Sequence, residues 1–160
     1  MQKTIDRFRP PPSAALWLSR LGPLGKCPRA PGTAGSAAGI PAACLLSLFP
    51  GPWQALLLLA LFLLACYAAH IAEQALGKSD PGEIVIDELV GYLVTVIGFP
   101  LGLKPLLLGF LLFRLFDIWK PWPVKLLDNR HGGGFWVVAD DVGAGLYGHV
   151  ALWILLSLWK

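Results

Sequence analysis

The sequence predicts an all-α protein: a compact bundle of short helices, partly membrane-embedded, with its polar motifs gathered on one face. Three observations carry this. Hydrophobic residues make up 56% of the 160 and charged residues only 14%, against about 25% charged in a typical soluble domain. The apolar mass comes in runs that 18 glycines and 14 prolines keep interrupting, so the helices are short or broken. The polar residues between the runs collect into four patches. The same arithmetic, with a mean hydropathy of +0.62, excludes a disordered chain, a coiled coil and a charge-rich nucleic-acid binder. The net charge of +3 suits contact with an anionic lipid surface.

Taken in order, residues 1–19 read as a flexible basic lead-in, with Lys3, Arg7, Arg9 and the run Pro10-Pro11-Pro12 but no apolar core of a secretory leader. Residues 20–160 read as one helical domain. Patch one runs from Arg20 to Ser36. An apolar stretch follows from Ala37 to Ala69, broken at Pro50-Gly51-Pro52. Patch two covers His70 to Glu88. A second apolar stretch, Leu89 to Phe113, breaks between Gly98 and Pro105. Patch three covers Arg114 to Arg130 and patch four Gly132 to Asp141, and a last apolar run extends from Val142 to Trp159. A membrane-crossing helix needs roughly 17–25 apolar residues. Trp53–Ala69 and Val142–Trp159 just reach that, while Pro41–Phe49, Leu89–Phe99 and Leu106–Phe113 fall short. Either each broken stretch is a hairpin that dips in and returns, or the short pieces form a buried core beside one or two true spans. A returning chain puts all four patches on one side. That side, with the lead-in, holds every Lys and Arg except Lys104 and Lys160, so the positive-inside rule makes it cytoplasmic. Cys27, Cys44 and Cys66 form no C-x-x-C pair; two lie in apolar runs and read as buried free thiols.

The patches carry related chemistry. In patch two, Asp80-Pro81 followed by Glu83 has the look of a helix start with a capping box, which places Glu83 and Asp87 one turn apart. Asp87 and Glu88 sit among Ile84, Val85, Ile86, Leu89 and Val90. Acids buried in such a setting are costly unless paired or metal-bound. In patch four, Asp140-Asp141 opens the last helix, with Ala144, Gly145 and Gly148 below it, as Gly91 lies below Asp87. Small residues on both helices permit close packing with the acids adjacent. In patch three, Arg114, Asp117 and Lys120 recur every three residues on one face, and Pro121 stops the helix. In patch one, Pro31-Gly32-Thr33 with Ser36 leads into a helix whose first N–H groups attract anions. Walker A spacing is absent. A divalent oxygen-ligand site such as Mg²⁺ is the natural outcome of carboxylates meeting in this way.

In this order the four signatures resemble the phosphatidylglycerophosphatase A family: Pro31-Gly32-Thr33 with Gly35-Ser36; Asp80-Pro81, Ile84-Val85 and Asp87-Glu88 with Gly91; Arg114, Asp117 and Lys120-Pro121-Trp122-Pro123; and Asp140-Asp141 with Ala144-Gly145. The resemblance runs from about Leu21 to the last apolar run. It implies removal of the terminal phosphate of phosphatidylglycerophosphate, a Mg²⁺ requirement and a bacterial inner-membrane location, where the positive-inside rule has the site facing the cytoplasm. Exclusion points the same way. No Cys is followed by Arg six positions on, no D-x-D-x-T run occurs, and His70, His131 and His149 fit no histidine-phosphatase motif. Carboxylates, cations and hydroxyls remain, which suits metal-assisted hydrolysis. The expected metal ligands are Asp87, Glu88, Asp117, Asp140 and Asp141. The expected phosphate ligands are Arg29, Thr33, Ser36, Arg114 and Lys120, with Lys120 also catalytic and Glu83 a general base or second-line group. The partners expected are the lipid substrate and the membrane, and no nucleic acid. The rival readings are a small membrane cation channel or transporter, and a non-catalytic protein that binds anionic lipid.

Overall fold

Glycine and proline set most of the element boundaries. The computed structural model describes residues 12–128 and 132–159, and contains seven α-helices and no strand among them. Helix α1 is Pro12–Ser19. A 3₁₀ turn, Leu24–Lys26, leads to α2, Pro31–Leu46, which has proline in its first turn. Helix α3, Gly51–Leu76, starts just after Pro50 and ends at Gly77 in the left-handed region, φ 62°. Helix α4 is Ile86–Val96. Helix α5, Leu103–Trp119, ends at Lys120, φ 45°, because Pro121 forbids another turn. Helix α6, Val124–Asp128, is a single short turn, and α7, Gly134–Leu158, closes the fold.

The two broken stretches are hairpins. Helix α2 runs away from the polar patches and α3 returns; α4 runs away and α5 returns. The two bends lie side by side, because one cavity is lined by Leu46, Ser47, Gly51 and Gln54 from the first and by Val96 to Leu101 from the second. The end of α7 reaches the same place: the Lys104 ammonium sits 3.7 Å above the ring of Trp159. All four polar patches therefore share the opposite end of the bundle.

Helix α4 is the axis. Ile86, Asp87, Leu89 to Leu93, Thr95 and Val96 are all buried, with α2, α3, α5 and α7 packed around them. Eleven residues rise only about 16 Å, too little to cross a bilayer. Among the described residues, helices α3 and α7 are the two that are long and apolar enough to do so, and most of the apolar length of each is not buried in the bundle. The outward side chains are large and greasy: Leu56, Leu59 and Leu63 on α3, Leu107, Leu111 and Leu115 on α5, Val150 and Trp153 on α7. Apolar cover on this scale marks a membrane-associated protein.

The structure differs from the sequence expectations in four places. No helix begins at Asp80. That residue has φ 40°, Ile84 N–H donates to Pro81 O and Val85 N–H donates to Ser19 O, and α4 starts only at Ile86. The proposed capping box gives way to these contacts, so Glu83 is not one helical turn from Asp87. Helix α7 starts at Gly134, not at Asp140, so the aspartate pair lies in its second turn. Of the expected flexible lead-in, residues 1–11 lie outside the described residues, whereas Pro12–Ser19 is a helix that buries Ala15 and Ser19. All three thiols are free, but Cys27 and Cys44 are exposed and Cys66 is half-buried; Cys44 is on the outward side of α2, where an apolar run faces outward and not into the core. Arg130, placed at the end of patch three by sequence, also lies outside the described residues, as do His131 and Lys160.

Candidate functional site

The site begins with a seam between two backbones. A Cβ at Gly91 on α4 would strike the Asp141 carbonyl of α7 and the Phe113 ring, and one at Gly145 on α7 would strike the Gly91 carbonyl. Only glycine permits this approach. Thr95 ties the seam, with its hydroxyl 3.0 Å from Gly91 O and 3.2 Å from Gly145 O. The small-residue contact expected from sequence is therefore present, and it brings the acid-bearing turns of α4 and α7 together.

Asp87, Glu88 and Asp141 converge there. Each offers one carboxylate oxygen, and the three atoms lie within 4.8 Å of one another. Asp87 is 7% exposed and Asp141 4%. Asp87 Oδ1, Glu88 Oε2 and Asp141 Oδ2 are buried without a hydrogen-bond partner. Burial pushes the Asp87 carboxyl well above the usual range, and the Glu88 and Asp141 carboxylates beside it push it further. Burial raises Glu88 too, against an opposing hydrogen bond with Asp87. Asp87 and Glu88 lie in the first turn of α4, the positive end of the helix dipole, which favours negative charge.

The neighbouring residues bring cations. Asp117 is within hydrogen-bonding reach of Asp141, and its Oδ2 lies 2.5 Å from Arg114 Nη1. The same Arg114 nitrogen donates to Ser36 Oγ at 3.4 Å. Ser36 is buried and donates to Gly32 O at 2.8 Å. A Cβ at Gly32 would strike the Glu88 carboxylate and crowd Arg114, so the start of α2 abuts the acid cluster. Lys120 Nζ lies 2.6 Å from Asp140 Oδ2, and Asp140 Oδ1 accepts the Asp141 N–H at 3.0 Å.

Measured against the sequence expectations, the structure gathers Asp87, Glu88, Asp141, Asp117, Arg114 and Ser36 at one point. Asp140 turns to Lys120 instead of joining the three-acid cluster. Thr33 is on the exposed side of α2, and Arg29 is exposed in the bend ahead of it. Glu83 is not brought to the cluster; its side chain, 44% exposed, pairs with Arg20 at 2.5 Å. Two residues escaped the sequence reading of the site. Gly32 was legible as Pro-Gly at a helix start, though not as the point of contact with Glu88. Glu73 gave no signal: it is a buried acid on α3 that accepts N–H bonds from Asp80 and Gly133.

The arrangement is a set of hard oxygen donors flanked by a guanidinium, an ammonium and a helix start. A hard divalent cation matches the donors, and a phosphate oxyanion matches the rest. Comparison with known proteins gives a consistent result. The family model for phosphatidylglycerophosphatase A matches residues 17–156. The phosphatidylglycerophosphatase A of Escherichia coli (strain K12) is 32% identical over 136 residues, covering 84% of this chain and 79% of that protein. Its counterpart in Haemophilus influenzae is 38% identical over 128 residues, covering 79% and 78%. A putative phosphatidylinositol-3-phosphatase of Bacteroides thetaiotaomicron is 37% identical over 143 residues, covering 82% and 89%. No solved structure matches the chain.

Proposed function

The chain belongs to the phosphatidylglycerophosphatase A family, and we propose that it hydrolyses the terminal phosphomonoester of phosphatidylglycerophosphate in a Mg²⁺-dependent reaction on the cytoplasmic face of a bacterial inner membrane. Membership makes it a phosphatase, which removes the channel and the non-catalytic lipid binder as rivals. The observation that carries the metal reading is the set of three buried carboxylate oxygens without hydrogen-bond partners. Leaving such groups bare is costly, and their chemistry fits Mg²⁺.

In this reading Asp87, Glu88 and Asp141 hold the ion. When bound, Mg²⁺ polarises a phosphoryl oxygen and makes a bound water more acidic. Asp117 stands beside Asp141 and pairs with Arg114. Arg114 and Lys120 offset the charge that builds on the phosphoryl oxygens, and Asp140 aims Lys120. Ser36 and the first N–H groups of α2 receive the phosphate, and Gly32 keeps that approach open. Thr33 and Arg29, on the exposed rim, contribute at the entrance. Glu83 stays with Arg20 and is left out of the reaction. The acyl chains remain against the outward apolar faces, which keeps the reacting phosphate at the polar end. Arg20, Lys26, Arg29, Lys78, Arg114, Lys120 and Lys125 flank that end and only Lys104 the other among the described residues, which supports the cytoplasmic orientation.

The test is phosphate release by the purified protein in detergent, with Mg²⁺ or with chelator. The relative named for an inositol lipid puts phosphatidylinositol-3-phosphate in the same panel. The expected result is metal-dependent release from phosphatidylglycerophosphate in preference to the inositol lipid. Release that survives chelation contradicts the metal assignment, and release from the inositol lipid alone contradicts the substrate.

A further inference from the structure

We propose that Glu73 is a positioning residue for this chemistry, holding the chain just ahead of both acid-bearing helices so that Asp87, Glu88 and Asp141 meet at ligand distance. The proposal rests on the metal reading given above.

Glu73 lies in the last turns of α3 and is 8% exposed. Its two oxygens serve two different segments. Oε1 accepts the Asp80 N–H at 3.0 Å, and Oε2 accepts the Gly133 N–H at 3.0 Å. Asp80 opens the turn that feeds α4, and Gly133 is the residue from which α7 starts. Both are held in the left-handed region, at φ 40° and 109°. For Asp80, an L-residue, that conformation is disfavoured unless its surroundings impose it.

Gly133 caps α7 with no side-chain bond of its own. The Glu73 carboxylate does that work from another helix, and its charge faces the positive end of the α7 dipole. Close contact reinforces the placement. A Cβ at Gly134 would strike the Cys66 carbonyl and the His70 nitrogen, so the first turn of α7 rests directly on the α3 backbone. A helix is stiff along its axis. Fixing Gly133 therefore fixes the height of Asp141, and fixing Asp80 constrains where α4 begins and hence where Asp87 and Glu88 stand. One side chain sets both. Metal affinity depends steeply on such placement, and loss of an outer-shell partner typically weakens it about 10–100-fold.

The experiment uses the full chain in detergent with Mn²⁺ as the probe, free Mn²⁺ being read by electron paramagnetic resonance. Glu73→Gln keeps the shape but sets an NH₂ group against one of the two N–H donors. The expected result is about tenfold weaker Mn²⁺ binding or more, turnover restored by excess Mg²⁺, and an unchanged KM for lipid at saturating metal. Unaltered Mn²⁺ affinity in Glu73→Gln, whatever its melting temperature, overturns the proposal. If that variant does not fold, Glu73→Asp is read in the same way, since it keeps the charge but is one methylene too short to serve both segments. Failure of the wild type to bind Mn²⁺ overturns the metal reading itself. Weakened Mn²⁺ binding in a protein that spares phosphatidylglycerophosphate upholds the role of Glu73 and strikes only the substrate.

Discussion

Two groups of buried carboxylates occupy the same end of this bundle and meet opposite treatment. Glu73 has a backbone N–H on each oxygen. Asp87, Glu88 and Asp141 each have a buried oxygen with none. Glu73, Asp87 and Asp141 are 8%, 7% and 4% exposed, so burial alone does not separate the two groups. Satisfaction does. A carboxylate that receives N–H bonds serves as a bracket for the backbone. Three that face one another without donors repel, and their proximity is stable only when a cation or protons lie between them. The contrast sets these three acids apart from Glu73 without reference to which acids are adjacent in sequence.

The largest effect that would break this contrast comes from neutralising one member of the bare group. Asp141→Asn or Asp87→Asn is expected to lower turnover by about 10²–10³-fold, the range for loss of one preorganised electrostatic contact, with no fall in melting temperature in chelator, because a repulsive charge is removed. A variant that melts lower in chelator yet keeps its specific activity would reverse the assignment. Next in size is the response to metal. Saturating Mg²⁺, near a hundred times its dissociation constant, is expected to stabilise the wild type by about 2.7 kcal/mol, read as a rise in melting temperature that Asp141→Asn abolishes. An equal rise in that variant would place the ion elsewhere.

A methyl group at the seam sharpens the comparison from the side of packing. Gly91→Ala sets a Cβ against the Asp141 carbonyl and the Phe113 ring, and overpacking of this kind costs about 1–3 kcal/mol. Denaturant unfolding should show that loss, and weaker Mg²⁺ activation should accompany it because the two acid-bearing turns are pushed apart. The smallest effect is expected at the rim. Thr33→Ala, on an exposed face of α2, should change stability by less than about 0.5 kcal/mol and KM by no more than about twofold. A loss of turnover as deep as that of Asp141→Asn would move Thr33 from the rim into the reacting centre.

Much of this was legible in the amino-acid sequence where a single residue decides the local outcome. Pro121 ends α5 and Pro50-Gly51-Pro52 opens α3 because proline and glycine leave few choices. The runs that became α3 and α7 were visible from length and apolarity alone. Gly91 and Gly145 announced a close helix contact, and the acids beside them announced the cluster. What stayed hidden depends on contacts between distant residues. The helix expected at Asp80 satisfied every local rule, yet Glu73 takes the Asp80 N–H, Ser19 takes the Val85 N–H and Arg20 takes the Glu83 carboxylate. Glu73 itself sits early in patch two, just past an apolar run, and its second bond closes a separation of 60 residues. Nothing in its neighbours announces that. The division between Asp140 and Asp141 was hidden for the same reason: it turns on Lys120, which reaches Asp140 from another helix.

The most direct test is anomalous diffraction from crystals of the protein soaked in Mn²⁺. The account predicts a peak between α4 and α7, with Asp87, Glu88 and Asp141 oxygens at coordinating distance and Asp140 still bonded to Lys120. A peak bound through Asp140 or Glu83, or a three-acid cluster that stays metal-free at millimolar Mn²⁺, would contradict it.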